Sequence, residues 1–214
     1  MPSLSSLKIL AIETTQEACS VALKVGDTLF EHTNTSPREH ARLLLPTLHQ
    51  LLQEAELTVP DLQVLALSCG PGSFTGVRIG AAFIQGLSFG LGKPVVLVST
   101  LRAAAQAAYR INNTPHVFAT LDARMNEIYW GLYAVDENGI MQSQSKESVQ
   151  NPNEIPNEMM LSEGLLSQGS WVKSSVLPLA QDVAKIAAAE YMLGHVVYSE
   201  GVQPVYLRNE VVKK

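Results

Sequence analysis

Apolar positions in this chain fall into short continuous runs and longer helical stripes that alternate along its length. Leu7 to Ile12 is an unbroken apolar run, the pattern of a strand buried on both faces, and Ala18 to Val25 and Thr28 to Thr33 follow with strand composition. Gly26-Asp27 between the last two suits a two-residue hairpin turn. Ser36-Pro37-Arg38-Glu39 then has the form of a capping box with proline at the first helical position, and it predicts a helix running to about Glu56. The apolar stripe of that helix is Ala41, Leu44, Leu45, Leu48, Leu51, Leu52 and Ala55. Pro46 inside it removes one backbone donor and predicts a kink.

Val64 to Leu67 predicts a buried strand that runs into Gly70-Pro71-Gly72-Ser73-Phe74-Thr75-Gly76, and a helix follows from about Gly76 to Leu91. That helix is apolar nearly all round, with Arg78, Gln85 and Ser88 as its polar side chains. Such a composition demands burial on more than one side, in a core or against another protein, and Gly76, Gly80, Gly86 and Gly90 allow close backbone approach. Pro94 to Val98 predicts a further strand, and Ser99 caps an Ala-rich helix to about Ile111. Asn112-Asn113-Thr114-Pro115 breaks the chain and divides it into a first domain over 1–111 and a second over 112–214. The second half offers strands at Val117 to Leu121, Ile128 to Val135 and around Ile140 to Ser145, the last after an Asn138-Gly139 turn. Asn151 to Ser175 is polar and poorly periodic and reads as loop with room for one short element, and Pro178 to Leu193 is an amphipathic helix stopped by Gly194. Both halves place strands before helices, the order of a diverged duplication within an α/β protein.

Composition narrows the function. At 214 residues with 46% hydrophobic side chains, the chain supports one large or two small cores. No run approaches the length of a membrane span, and Met1 to Ser6 lacks the marks of a secretory signal, so a cytoplasmic location without membrane contact is expected. A net charge of −5 with scattered basic residues excludes an autonomous nucleic-acid groove. If RNA is involved, another chain holds most of it. Cys19 and Cys69 sit in apolar strand contexts and read as buried free thiols.

The glycine-rich turn matches no complete nucleotide motif: Val77 and Arg78 stand where a P-loop has Lys and Ser/Thr, and Thr75 replaces the third glycine of a dinucleotide turn. Two roles stay open for Gly72, Ser73, Thr75 and Arg78, tight packing or contact with an anion. Ser73 and Thr75 have no legible base and are not nucleophile candidates. His40 and His49 point away from each other on a helix, so no metal pair is assigned. The turn Glu13-Thr14-Thr15 and its counterpart Asp122-Ala123-Arg124 lack glycine, which argues against autonomous ATP binding. Glu13 and Asp122 either face each other across a cleft for acid-base work or cap their own turns, with Arg124 in reach of Asp122 or Glu127. Tyr206 and Arg208 suit a C-terminal strand docking on the first domain. No catalytic residue, metal or cofactor is assigned to this chain alone.

Ile9 to Thr15, Pro37-Arg38-Glu39-His40, the Gly70 to Arg78 segment, Asp122-Ala123-Arg124 with Glu127, and Pro204 to Arg208 together resemble the bacterial TsaB (YeaZ) family over nearly the whole chain. The resemblance implies an actin/Hsp70/sugar-kinase-like fold of two related domains with βββαβα cores. It also implies a role in making threonylcarbamoyladenosine beside the anticodon of tRNAs that read codons starting with A. In that role the chain is a non-catalytic scaffold, paired with the threonylcarbamoyl-transferring TsaD and the ATPase TsaE, with tRNA held mainly by the complex and a homodimer formed in isolation. The expected partner face, a helical bundle with TsaD, comprises Ala41, Leu44, Leu45, Leu48, Leu52, Gly76, Arg78, Gly80, Phe83 and Ile84. Gly72, Ser73, Thr75, Arg78 and Arg124 are candidates for a shared nucleotide or anion. The competing readings are a glycoprotease-like metallopeptidase and a small-molecule kinase of the same fold class.

Overall fold

The computed structural model describes residues 6–36, 39–155 and 172–208. Its first sheet has the order β3-β2-β1-β4-β5, from β1 (Lys8–Glu13), β2 (Cys19–Val25), β3 (Thr28–Asn34), β4 (Val64–Gly70) and β5 (Val95–Ser99). β1 pairs antiparallel with β2 and parallel with β4, and β4 runs parallel to β5. The predicted two-residue hairpin is present, with Val25 opposite Thr28 and Gly26 at φ 58°. Alternation explains why β1 and β4 read as unbroken apolar runs. Ile9, Ala11, Val64 and Ala66 enter one core while Leu10, Ile12, Leu65 and Leu67 enter another on the opposite face.

Helices α1 (His40–Glu54) and α2 (Phe74–Leu91) supply the second of those cores through Leu44, Leu48, Leu51, Leu52 and Ile84. α1 begins at His40 with Glu39 as its cap residue rather than at Ser36. Ser36 instead donates its amide to Asn34 Oδ1, and Pro37 and Arg38 lie outside the described residues. α2 opens at Phe74 because Ser73 Oγ accepts the Gly76 amide. Among the described residues α2 is the one helix whose length and composition reach those of a membrane span, and it reaches them only marginally. Only 33% of it is buried.

The second sheet runs β10-β6-β7-β8, with β9 also on β7, from β6 (His116–Arg124), β7 (Glu127–Val135), β8 (Met141–Ser143), β9 (Ser148–Gln150) and β10 (Val172–Ser174). The stretch read as loop thus carries β10 and a short 3-10 turn at Pro152–Glu154, while its residues 156–171 lie outside the described set. α3 (Thr100–Asn112) sits between the sheets: Ala103 enters the first sheet's core, while Leu101, Ala104, Ala105 and Ala108 meet Val117, Ala119 and Tyr133 of the second. The run of small alanines lets the helix backbone lie close to both sheets.

The last helix, α4 (Ala180–Met192), follows the second sheet in sequence yet packs on the first, where Ala180, Val183, Ala184 and Ala187 join Ile9, Ala11 and Val64. The boundary at 112–115 therefore separates the two sheets, and α4 returns across it. Beyond α4 the chain passes along the free edge of β5, where Val197 and Val95 exchange backbone hydrogen bonds of 2.8 and 2.9 Å.

Candidate functional site

Strands β1 and β4 end side by side, and the turns that follow them are packed into each other. Gly76 is the closest point: a Cβ there would lie 2.0 Å from the Thr14 carbonyl oxygen, and one on Gly80 would lie 2.5 Å from Thr14 Oγ1. Thr14 Oγ1 donates to Gly76 O at 2.9 Å, and the Ser73 amide donates to Thr15 O at 2.8 Å. Gly72 meets Thr15 in the same way, with 2.6 Å from a built Cβ to the Thr15 oxygen. Of the two roles open to the glycine-rich turn, the geometry builds packing, and the Ser73 amide and hydroxyl are both committed to it.

Glu13 ends β1 with no exposed surface. Its Oε1 accepts the Thr15 amide at 2.5 Å and the Thr15 hydroxyl at 2.6 Å, so the carboxylate closes its own turn. Burial pushes its carboxyl above the ordinary range, and the Ser68 hydroxyl with the Thr15 hydroxyl and amide, which favour the charged form, only partly offset this. Among the described residues Oε2 and the neighbouring Ser68 Oγ reach full hydrogen-bond geometry with no partner. Asp122, by contrast, is exposed and takes the Arg124 amide at 2.7 Å and the Arg124 guanidinium at 2.9 Å. Both carboxylates thus cap locally. Glu127 is claimed by Arg208 rather than by Arg124.

Arg78 is exposed on the first turns of α2, its guanidinium 3.2 Å from the centroid of the Phe74 ring and 5.2 Å from that of Tyr206. It forms no ion pair among the described residues and donates to Phe74 O at 3.2 Å. Arg78 therefore gathers with Gly72, Ser73 and Thr75 at the start of α2, whereas Arg124 stands on the β6–β7 hairpin of the other sheet.

The expected partner face separates into two sets. Leu44, Leu48, Leu52 and Ile84 are enclosed in the chain's own core, Phe83 is half-buried against it, and Gly76 and Gly80 are used against Thr14. Leu44, Leu48, Leu52, Gly76, Gly80 and Ile84 have no free surface to offer, which corrects their place on an outward face, while Phe83 stays partly accessible. Ala41, Leu45 and Arg78 point outward. The outer face also holds residues the sequence reading did not select: Phe89 at 82% exposure, Phe74 at 64% and Ala82, beside Gly86 and Gly90, which have nothing within 4 Å of a built Cβ. On the neighbouring α1, Leu45 is 51% exposed. Spacing carried the signal, since Ala82, Gly86 and Gly90 recur every fourth residue on one side of α2.

Residues 30–189 match the family model for TsaD, tRNA N6-adenosine threonylcarbamoyltransferase. The chain is 40% identical to the tRNA threonylcarbamoyladenosine biosynthesis protein TsaB of Escherichia coli, with 97% of each covered. The chain belongs to the TsaB (YeaZ) family. It is also 33% identical to Haemophilus influenzae TsaB over 99% of its own length and 98% of that protein. The solved structure of YeaZ from Pseudomonas aeruginosa superposes with a TM-score of 0.85 at 36% identity, covering 94% of this chain and all of that one. The two-sheet α/β architecture is the actin/Hsp70/sugar-kinase-like fold of this family. Membership places the chain in the biosynthesis of tRNA threonylcarbamoyladenosine.

Proposed function

We propose that this TsaB-family chain is a non-catalytic scaffold of the threonylcarbamoyladenosine system, acting in the cytoplasm. It docks on a TsaD-type partner through the outer faces of α1 and α2. In this reading TsaD carries the transfer chemistry, TsaE supplies the ATPase, and the tRNA is held mainly by the assembled complex. The observation that carries the proposal is the free apolar surface of α2. Phe89 is 82% exposed, and two open glycines stand where another helix can approach to backbone distance. Burial of each large apolar side chain contributes about 1.5 to 3 kcal/mol before the costs of association, so Phe89, Phe74 and Leu45 suffice as anchors. Two further features support a scaffold over an enzyme: the turn after β1 is closed by Thr14 and Thr15, and Glu13 is fully buried with Oε1 bonded within that turn.

The test is Phe89→Glu combined with Leu45→Glu. Both side chains lie outside the core, so the variant folds with an unchanged melting temperature, fails to co-purify with the TsaD-type partner, and does not support tRNA modification in a reconstituted assay. A variant that loses the partner and keeps full modification overturns the scaffold role. Turnover by the purified chain alone overturns the non-catalytic one.

A further inference from the structure

We propose that residues 203–208 are a strap that closes the crevice at the carboxyl ends of the first sheet's parallel strands and clamps the two sheets together. In open α/β sheets that crevice is where ligands enter, because the strand ends and following turns leave polar backbone groups facing outward. Here the chain's own C-terminal segment lies over it. The Val205 amide donates to Cys69 O at 2.7 Å, at the end of β4. Gly70, next in line, has φ 117°, and a Cβ on it would lie 2.5 Å from Val205 O, so the strap and the strand end approach as closely as a glycine permits.

Successive residues then reach different parts of the molecule. Val202, just before the strap, is buried in the core beneath α1 and α2. The Tyr206 ring tilts toward Phe74 at 6.3 Å between centroids, with Arg78 between strap and helix. Leu207 packs on the core shared by α3 and the second sheet. Arg208 ends the strap on the β6–β7 hairpin, donating to Ala123 O at 3.0 Å and pairing with Glu127 in a bridge whose side chains are 19% and 24% exposed. That hairpin holds Arg124, Met125 and Asn126 all at positive φ, a backbone that needs outside support to persist. The segment docks on the first sheet, as the sequence suggests, and reaches the second as well. The segment bridges both sheets, and it does so independently of which partner the helices meet.

Hydrogen exchange on the full-length chain tests the proposal with two variants. Val205→Pro removes the amide that bonds Cys69 O, and Arg208→Ala removes the clamp on the hairpin. In both, peptides covering 69–77, 121–129 and 203–208 are expected to exchange about tenfold faster, the factor produced by losing one net hydrogen bond from an opening equilibrium. The β2 peptide over 19–25 stays at the parent rate, and Arg208→Lys restores part of the protection at 121–129. Unchanged exchange at all three peptides overturns the strap. So does equal acceleration of the β2 peptide in both variants, since the segment then contributes only to stability as a whole.

Discussion

Glu31, on the edge strand of the first sheet, caps a helix that begins far along the chain: its carboxylate accepts the Gln181 amide at 2.9 Å and Gln181 Nε2 at 2.6 Å. Ser20 completes the cap by accepting the Ala180 amide at 3.0 Å, and its hydroxyl donates to Glu31. α4 lacks a side-chain cap from its own preceding residue, so two strands of the first sheet supply it. This is how a helix that follows the second sheet is held on the first. Glu31→Ala is expected to lower stability by about 1 kcal/mol, the usual worth of an N-cap, with the loss read from urea denaturation and from faster exchange of the first amides of α4.

The two pairs of glycines on α2 should respond in opposite directions. Gly76→Ala forces a methyl toward a backbone oxygen 2.0 Å away and should destabilise by about 1 to 3 kcal/mol or more. Gly86→Ala places its methyl in open space and should stabilise the isolated chain by about 0.5 to 1 kcal/mol through helix propensity. If the outer face of α2 is the docking surface, the same Gly86→Ala weakens partner binding while raising the melting temperature.

Glu13 predicts a pH dependence. Its carboxyl titrates above the ordinary 4.5 because burial disfavours the charge, so the folded chain binds a proton more tightly than the unfolded chain. Its contribution to stability is therefore fully present below the unfolded value and declines as pH rises through the folded one. Asp182, also raised by burial, adds a slope of the same sign. Glu13→Gln, which removes the titration and keeps the shape, should flatten the decline above about pH 4.5 without abolishing the share due to Asp182, as measured by urea midpoints across pH.

Met125 occupies the left-handed region at φ 54°, exposed at the tip of the β6–β7 hairpin. A non-glycine residue there costs about 1 to 2 kcal/mol, so Met125→Gly should recover a fraction of that, about 0.5 kcal/mol after its own entropy cost. Thermal denaturation checks the sign.

Local rules made much of the architecture legible. Unbroken apolar runs announced β1 and β4 because both faces of the first sheet are covered, Gly26-Asp27 gave the hairpin, and Ser99 marked the start of α3 through its own hydroxyl, whereas α2 opens at Phe74, two residues before the Gly76 start expected from the sequence, because Ser73 caps it. The glycine-rich segment was recognisable for the same reason, since its residue types and their order are a property of the chain. Partners distant in sequence were not legible. Leu44 and Leu45 are equivalent in hydropathy, yet one is buried in the core and the other half open, because a stripe wider than its contact leaves some of its members outside. Gly76 and Gly86 look alike in the sequence, and only the position of Thr14 makes the first an internal necessity and the second a free surface. The return of α4 to the first sheet and the reach of Arg208 to the second were decided by tertiary structure alone, because each depends on groups that no local spacing brings together.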